Sequence, residues 1–175
     1  MQAQYSRLEK PFSFMQWIEE NRELLKPPVG NKVVFKDSNF IVMVVGGPNA
    51  RTDFHVNQTD EFFYQIEGEI FLRIINEKSE FEEIPIKAGE IFMLPAGVPH
   101  SPQRSAGSVG LVIEKTRSPQ DSDGLQWYCK KCGKKLYEEF FNLKNIETDF
   151  GAVFNRYYNS EHTKCECGHQ NGKEW

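Results

Sequence analysis

Between positions 12 and 26, apolar side chains fall at Phe14, Trp17, Ile18, Leu24 and Leu25, close to helical spacing, which predicts one amphipathic helix. Ser13 offers an N-cap, and Pro27-Pro28 stops the run. From position 33 onward the pattern changes to short strands. Segments 33–35, 40–45, 62–65, 70–75, 81–86, 91–94 and 109–115 are rich in β-branched and aromatic residues. Turn-forming clusters such as Gly46-Gly47-Pro48-Asn49 and Glu67-Gly68 separate them. Seven such strands with no helix between them predict an antiparallel sandwich or barrel, an all-β unit over 1–117 that includes the N-terminal helix.

Positions 118–124, Ser-Pro-Gln-Asp-Ser-Asp-Gly, are polar and turn-rich and read as a linker to a small tail, 118–175. Within that tail the stretch 137–155 fits neither a helix nor a strand template cleanly. No internal repeat or low-complexity block interrupts the chain.

Composition narrows the function classes. The 175 residues hold 21 Lys+Arg against 25 Asp+Glu, a net charge of −4, which argues against a general nucleic-acid binder. Hydrophobic residues make up 39% and include 14 Phe, enough to bury a core. The longest apolar run, 40–45, is strand-sized and far short of the ~18 residues of a membrane span. The chain opens without the charged-then-apolar pattern of a signal peptide, so a cytoplasmic location is expected. All four cysteines lie in the last third, at 129, 132, 165 and 167, which speaks for a metal site over a disulfide framework.

Two stretches carry the chemistry. In the first, His55 precedes Glu61 by a turn-like Val-Asn-Gln-Thr-Asp segment, and Glu61 heads the aromatic run Phe62-Phe63-Tyr64. In the second, a strand from Gly89 runs into a Pro95-Ala96-Gly97 turn that ends at His100. Two imidazoles and one carboxylate at strand mouths converge on one metal if the strands are neighbours. Such a triad with open positions suits non-haem Fe(II), and Zn²⁺ accepts the same donors.

The spacings His55-x₅-Glu61-x₆-Gly68 and Gly89-x₅-Pro95-x-Gly97-x₂-His100 resemble the two cupin motifs. The first motif usually reads His-x-His. Here Asp53 takes the earlier place, which leaves two His and one Glu as ligands and casts Asp53 as a partner orienting one of them. More specific segments, Leu25-Lys26-Pro27-Pro28-Val29-Gly30-Asn31, Val45-Gly46-Gly47-Pro48-Asn49, Arg51-Thr52-Asp53-Phe54-His55, Glu61-Phe62-Phe63-Tyr64-Gln65 and His100-Ser101-Pro102-Gln103-Arg104, resemble the 3-hydroxyanthranilate 3,4-dioxygenase family over essentially the whole chain.

That resemblance implies a cupin double-stranded β-helix, or jelly-roll barrel, with an N-terminal helix. It implies Fe(II) held by His55, Glu61 and His100. Arg51, Arg104 and Glu114 would contact substrate, with Arg51 and Glu114 taking part in catalysis and Asn31 and Phe63 lining the pocket. The implied substrates are 3-hydroxyanthranilate and O₂. The implied product is 2-amino-3-carboxymuconate 6-semialdehyde, precursor of quinolinate in NAD biosynthesis from tryptophan. A homodimer without nucleic-acid or membrane partners is the implied assembly. Taken singly, these residues have plainer readings: Arg51 and Arg104 as surface arginines, Glu114 as a strand-end charge paired to Lys115 or Arg117, Asn31 as a turn residue, Phe63 as core.

Cys129-Lys130-Lys131-Cys132-Gly133 and Cys165-Glu166-Cys167-Gly168 form two close pairs, each followed by Gly, the form of a metal knuckle. Four thiolates suit zinc or iron, and the tight second pair leaves His162 or His169 as a replacement for one thiolate. Two other classes compete with the dioxygenase. One is a non-catalytic cupin that binds an aromatic acid, and the other is a zinc-dependent sugar-phosphate isomerase.

Overall fold

The computed structural model describes residues 10–27, 30–35, 38–146 and 148–173. Helix α1 (Phe14–Asn21) is followed by a 3₁₀ turn, Arg22–Leu25. Ser13 Oγ accepts from the Gln16 amide, as a cap should. The expected helix to 26 therefore ends early, where Asn21 Nδ2 donates to the Trp17 carbonyl and the last turn tightens. Pro28 and Val29, part of the segment quoted above, lie outside the described residues.

Eleven strands follow among the described residues: β1 (Asn31–Val33), β2 (Phe40–Gly46), β3 (Asp53–Val56), β4 (Glu61–Glu67), β5 (Glu69–Ile75), β6 (Phe81–Lys87), β7 (Ile91–Leu94), β8 (His100–Arg104), β9 (Val109–Lys115), β10 (Asp123–Tyr128) and β11 (Lys135–Phe141). Helix α2 (Phe150–Tyr158) comes after them. All pairings are antiparallel, in one sheet ordered β1-β2-β9-β4-β7 and another ordered β11-β10-β3-β8-β5-β6. The all-β expectation holds, and the two sheets are those of a cupin-like fold.

Met43, Phe63, Ile70, Leu72, Ile86, Leu94 and Val112 fill the space between the sheets. They come from alternate positions of their strands, as period-two burial requires. α1 covers one outer face through Ile18, which packs with Val44 and Val109. α2 lays Val153 and Tyr157 on Leu125 and Trp127 of β10, with the Trp127 and Tyr157 rings stacked 4.3 Å apart.

Four strands differ from the sequence reading by being present at all. β3 and β8 are short and polar, and β10 lies partly in the expected linker. β11 occupies the start of the ambiguous stretch, and α2 its end. The first strand sits two residues earlier than 33–35. The linker itself ends before Asp123, because β10 pairs with β3 and joins the six-stranded sheet.

Candidate metal centre and substrate cavity

The triad draws on both sheets. His55 of β3 and His100 of β8 are direct cross-strand partners, with ring centroids 5.2 Å apart. Glu61 opens β4 in the opposite sheet, and its Oε2 lies 3.0 Å from His100 Nε2. The ligand atoms of His55, Glu61 and His100 all fall within 4.8 Å of one another, and all three residues are buried.

The donor chemistry fits a cation. Glu61 Oε2, although near His100, accepts no hydrogen bond, so a buried carboxylate oxygen is left without a proton donor. Each imidazole uses one nitrogen on the protein and keeps the other for the site. His55 Nε2 meets Asp123 Oδ1 at 2.7 Å, and His100 Nδ1 meets the Val98 carbonyl at 3.0 Å. Ligating histidines are held this way, the outer partner fixing ring orientation and tautomer. In the absence of a metal, burial opposes charge on both rings. It leaves His55 below its ordinary pKa, whereas Glu61 next door lifts His100 above its own.

Asp53, expected to orient a ligand, does something else. Its carboxylate takes Arg51, whose Nε donates to Oδ1 at 2.9 Å, and the guanidinium lies 5.6 Å above the Phe150 ring. The group that holds a ring of the triad is Asp123, through His55 Nε2. Sequence reasoning missed it because a Pro-Gln-Asp-Ser-Asp-Gly run looks like a turn.

Around the triad lies a narrow cavity of about 70 Å³. Every metal ligand and substrate contact named from the sequence for the barrel site lines it, namely Asn31, Arg51, His55, Glu61, Phe63, His100, Arg104 and Glu114, whereas Asp53 does not. Met43, Val112, Ile146 and Phe150 supply apolar wall, and the last two come from the tail, where the sequence offered no signal for them. A wider outer hollow of about 410 Å³ shares Asn31, Asn49, Arg51 and Phe150 with it. Another hollow, about 460 Å³ beside Phe12 and Phe35, has Lys10 as the titratable group among its described lining residues and lies away from this chemistry.

Arg104 and Glu114 differ from Arg51 in how they are satisfied. Arg104 is 5% exposed, yet its Nε and Nη1 have no hydrogen-bond partner. Burial pushes it down to about 10, with Glu61 resisting, so it stays cationic at neutral pH. Gly110 makes room for it, since a Cβ there would stand 3.0 Å from Arg104 Nη1 and 2.8 Å from Gln65 Oε1. Glu114 accepts from Asn57 Nδ2 at 3.0 Å and ion-pairs with Arg117, and burial together with the Glu61 charge pushes it up to about 8. Asn57 was not singled out from the sequence, and Arg117 is the partner, named there beside Lys115, that Glu114 takes.

A model of the 3-hydroxyanthranilic acid dioxygenase family matches residues 7–158. The chain belongs to that family. A 3-hydroxyanthranilate 3,4-dioxygenase of Xanthomonas euvesicatoria is 58% identical over 161 residues, 91% of this chain and 90% of that protein. One of Xanthomonas campestris is 55% identical, covering 93% and 92%. One of Bacillus cereus is 44% identical, covering 97% and 98%. Among solved structures, a cupin-2 domain protein of Shewanella frigidimarina is similar at 20% identity with a TM-score of 0.47, covering 56% of this chain and 91% of that one.

The family match ends before the second cysteine pair, but the structure brings both pairs together. Cys129 Sγ lies 3.6 Å from Cys167 Sγ and Cys132 Sγ 3.6 Å from Cys165 Sγ, with all four within 4.8 Å. A tetrahedron with ~2.3 Å metal–sulfur bonds has edges of roughly 3.8 Å, so the spacing suits one ion. Neither histidine left open for this site joins the cluster, and His162 packs on Tyr137 at 5.3 Å. Burial resists ionisation of Cys129, but the Cys132 and Lys131 amides outweigh it and bring the thiol down to about 7. No helix among the described residues is long and apolar enough to cross a membrane.

Proposed function

We propose that this dioxygenase opens the ring of 3-hydroxyanthranilate between the hydroxyl-bearing carbon and its unsubstituted neighbour. Both atoms of O₂ enter the product, 2-amino-3-carboxymuconate 6-semialdehyde, which cyclises to the NAD precursor quinolinate. Fe(II) held by His55, Glu61 and His100 would supply open positions for the adjacent hydroxyl and amine, and electrons for O₂.

The observation that carries this reading is Arg104, a buried cation with unpaired donors lining the same cavity as the triad. A planar fork of N–H groups matches a carboxylate, and the substrate ring bears one. Phe63, Met43 and Val112 give the ring an apolar slot and keep water from it. Glu114, above its ordinary pKa, holds a proton near neutrality and is placed to exchange it with the substrate hydroxyl or amine. Arg51, fixed by Asp53 and Phe150 where the two hollows meet, keeps a positive charge at the entrance for the incoming anion. Asn31 completes that rim. In this reading the four-cysteine cluster binds a structural zinc or iron, and the chain works as a cytoplasmic homodimer, whose mass light scattering measures.

A substrate comparison tests the clamp. A hydrogen bond to a charged group contributes about 1.5–3 kcal/mol, so Arg104→Ala should lower kcat/KM for 3-hydroxyanthranilate roughly ten- to a hundredfold. On 2-aminophenol, which keeps the hydroxyl and amine but has no carboxylate, the same substitution should cost little. An equal loss on both compounds would remove Arg104 as the carboxylate clamp.

A further inference from the structure

Arg117 stands just beyond β9, and its side chain is 4% exposed. It holds two carboxylates at once. Its Nε donates to Asp123 Oδ2 at 3.0 Å and its Nη2 to Asp123 Oδ1 at 2.6 Å. Its Nη1 donates to the Lys115 carbonyl at 3.0 Å and also faces Glu114 Oε2. Each carboxylate has a second partner facing the cavity. Asp123 Oδ1 also takes His55 Nε2, and Glu114 sits opposite Glu61 in the β4–β9 register.

Glu114, Arg117 and Asp123 lie within ten residues of one another, at the end of β9, in the turn-rich segment after it and at the start of β10, whereas His55 comes from distant β3. The β3–β10 pairing brings His55 to this cluster. One guanidinium spans the two carboxylates because its donors diverge from a rigid plane, one edge to Asp123 and the other end to Glu114. A lysine carries its three donors on one nitrogen, so it cannot reproduce the two-point grip on Asp123 while also reaching Glu114.

We infer that Arg117 is a positioning residue for both halves of the site: through Asp123 it fixes the His55 ring on the metal, and through Glu114 it fixes the carboxyl that faces substrate. This extends the function proposed above and rests on it for the substrate half. The metal half needs no substrate at all.

The test follows metal retention and turnover separately, on the full chain. Wild type, Arg117→Lys, Asp123→Asn and the double variant are loaded with Co(II) and dialysed against a chelator. Thiolate charge-transfer absorbance reports the cysteine-bound ion, so total cobalt minus that share gives the barrel site. Loss of an outer partner of a ligand typically weakens a metal site by ~10–100-fold. Arg117→Lys should fold, release barrel cobalt on the order of tenfold faster, and leave cysteine-bound cobalt unchanged. The double variant should lose it no faster than Asp123→Asn alone, because the two act in series. With Fe(II), Arg117→Lys should also lower kcat by more than it raises KM, since Glu114 would be misplaced while Arg104 still binds the carboxylate.

Barrel-metal release at the wild-type rate, or effects that multiply in the double variant, would overturn the inference. An Arg117→Lys chain that fails to fold would overturn it as well, by making the residue a structural one. Failure of the dioxygenase reading looks different, because loaded wild type would then leave 3-hydroxyanthranilate untouched whatever the metal-release rates.

Discussion

Glu61 and Glu114 are direct partners across β4 and β9, and both are almost fully buried. Two negative charges in that position would repel strongly, so the pair divides its ionisation. Burial raises both. His100 and His55 overcome it at Glu61, held down to about 2, while burial and the Glu61 charge push Glu114 up to about 8 against the pull of Arg117. One carboxylate is thereby kept ready for a cation and the other kept as an acid.

This division has a consequence for stability. Between the ordinary 4.5 and about 8, the folded metal-free chain holds a proton on Glu114 that the unfolded chain has released. The folded state then binds more protons, so this contribution is full below 4.5 and is lost as pH rises through about 8. Glu61 acts in the opposite sense, its contribution being lost only as pH falls toward 2. Melting curves of the metal-free protein should show Glu114→Gln losing less stability than wild type across that upper window. Parallel slopes would contradict the assignment.

Removing a ligand should empty the barrel site alone. A three-donor site that loses one holds its ion weakly against water, so His100→Ala should carry one metal fewer per chain and show no turnover. Its melting temperature should stay close to that of the metal-free wild type. Elemental analysis decides the matter, and full occupancy with normal turnover would take His100 out of the site.

Gly110 offers a test of Arg104 that leaves the guanidinium in place. A methyl at this position would press on Arg104 Nη1 and Gln65 Oε1, and Gln65 is itself tied through Nε2 to the Glu67 carbonyl at 2.7 Å. The arginine must give way. Gly110→Ala should raise KM for 3-hydroxyanthranilate by about tenfold, roughly the 1.4 kcal/mol of one weakened charged hydrogen bond, and spare 2-aminophenol. Unchanged KM would mean that Arg104 acts from another rotamer.

The cysteine cluster should be separable from the chemistry. Binding energy at a closed thiolate site is available to folding, so Cys129→Ser with Cys132→Ser should lower the melting temperature and abolish sulfur-bound metal. Barrel metal and turnover should persist in the protein that folds. An unchanged melting temperature with unchanged metal content would contradict a structural ion.

The candidate barrel triad was legible because Glu61 heads an aromatic run and His100 follows Pro95-Ala96-Gly97 at the start of its strand. Their supports were not. Asp123 and Arg117 sit in a Ser/Pro/Asp-rich stretch whose local chemistry says turn, and only the β3–β10 pairing reveals what they hold. β3 and β10 are buried at every position, so they lack the polar–apolar alternation that marks a half-exposed strand. β8, His-Ser-Pro-Gln-Arg, has no strand composition at all and is a strand because β5 pairs along its whole length. Ile146 and Phe150 reach the cavity from the far end of the chain, a closeness that no spacing rule encodes.

Ring opening by O₂ at the His55–Glu61–His100 centre consumes oxygen in step with substrate, which an oxygen electrode follows. Chain prepared without oxygen is loaded with Fe(II) or with Zn(II), mixed with 3-hydroxyanthranilate, and then given O₂ in an electrode cell. One O₂ should be consumed per substrate, with semialdehyde appearing at the same rate, in the iron sample only. Equal uptake with zinc, or none from a sample whose barrel site is shown to hold iron, would contradict it.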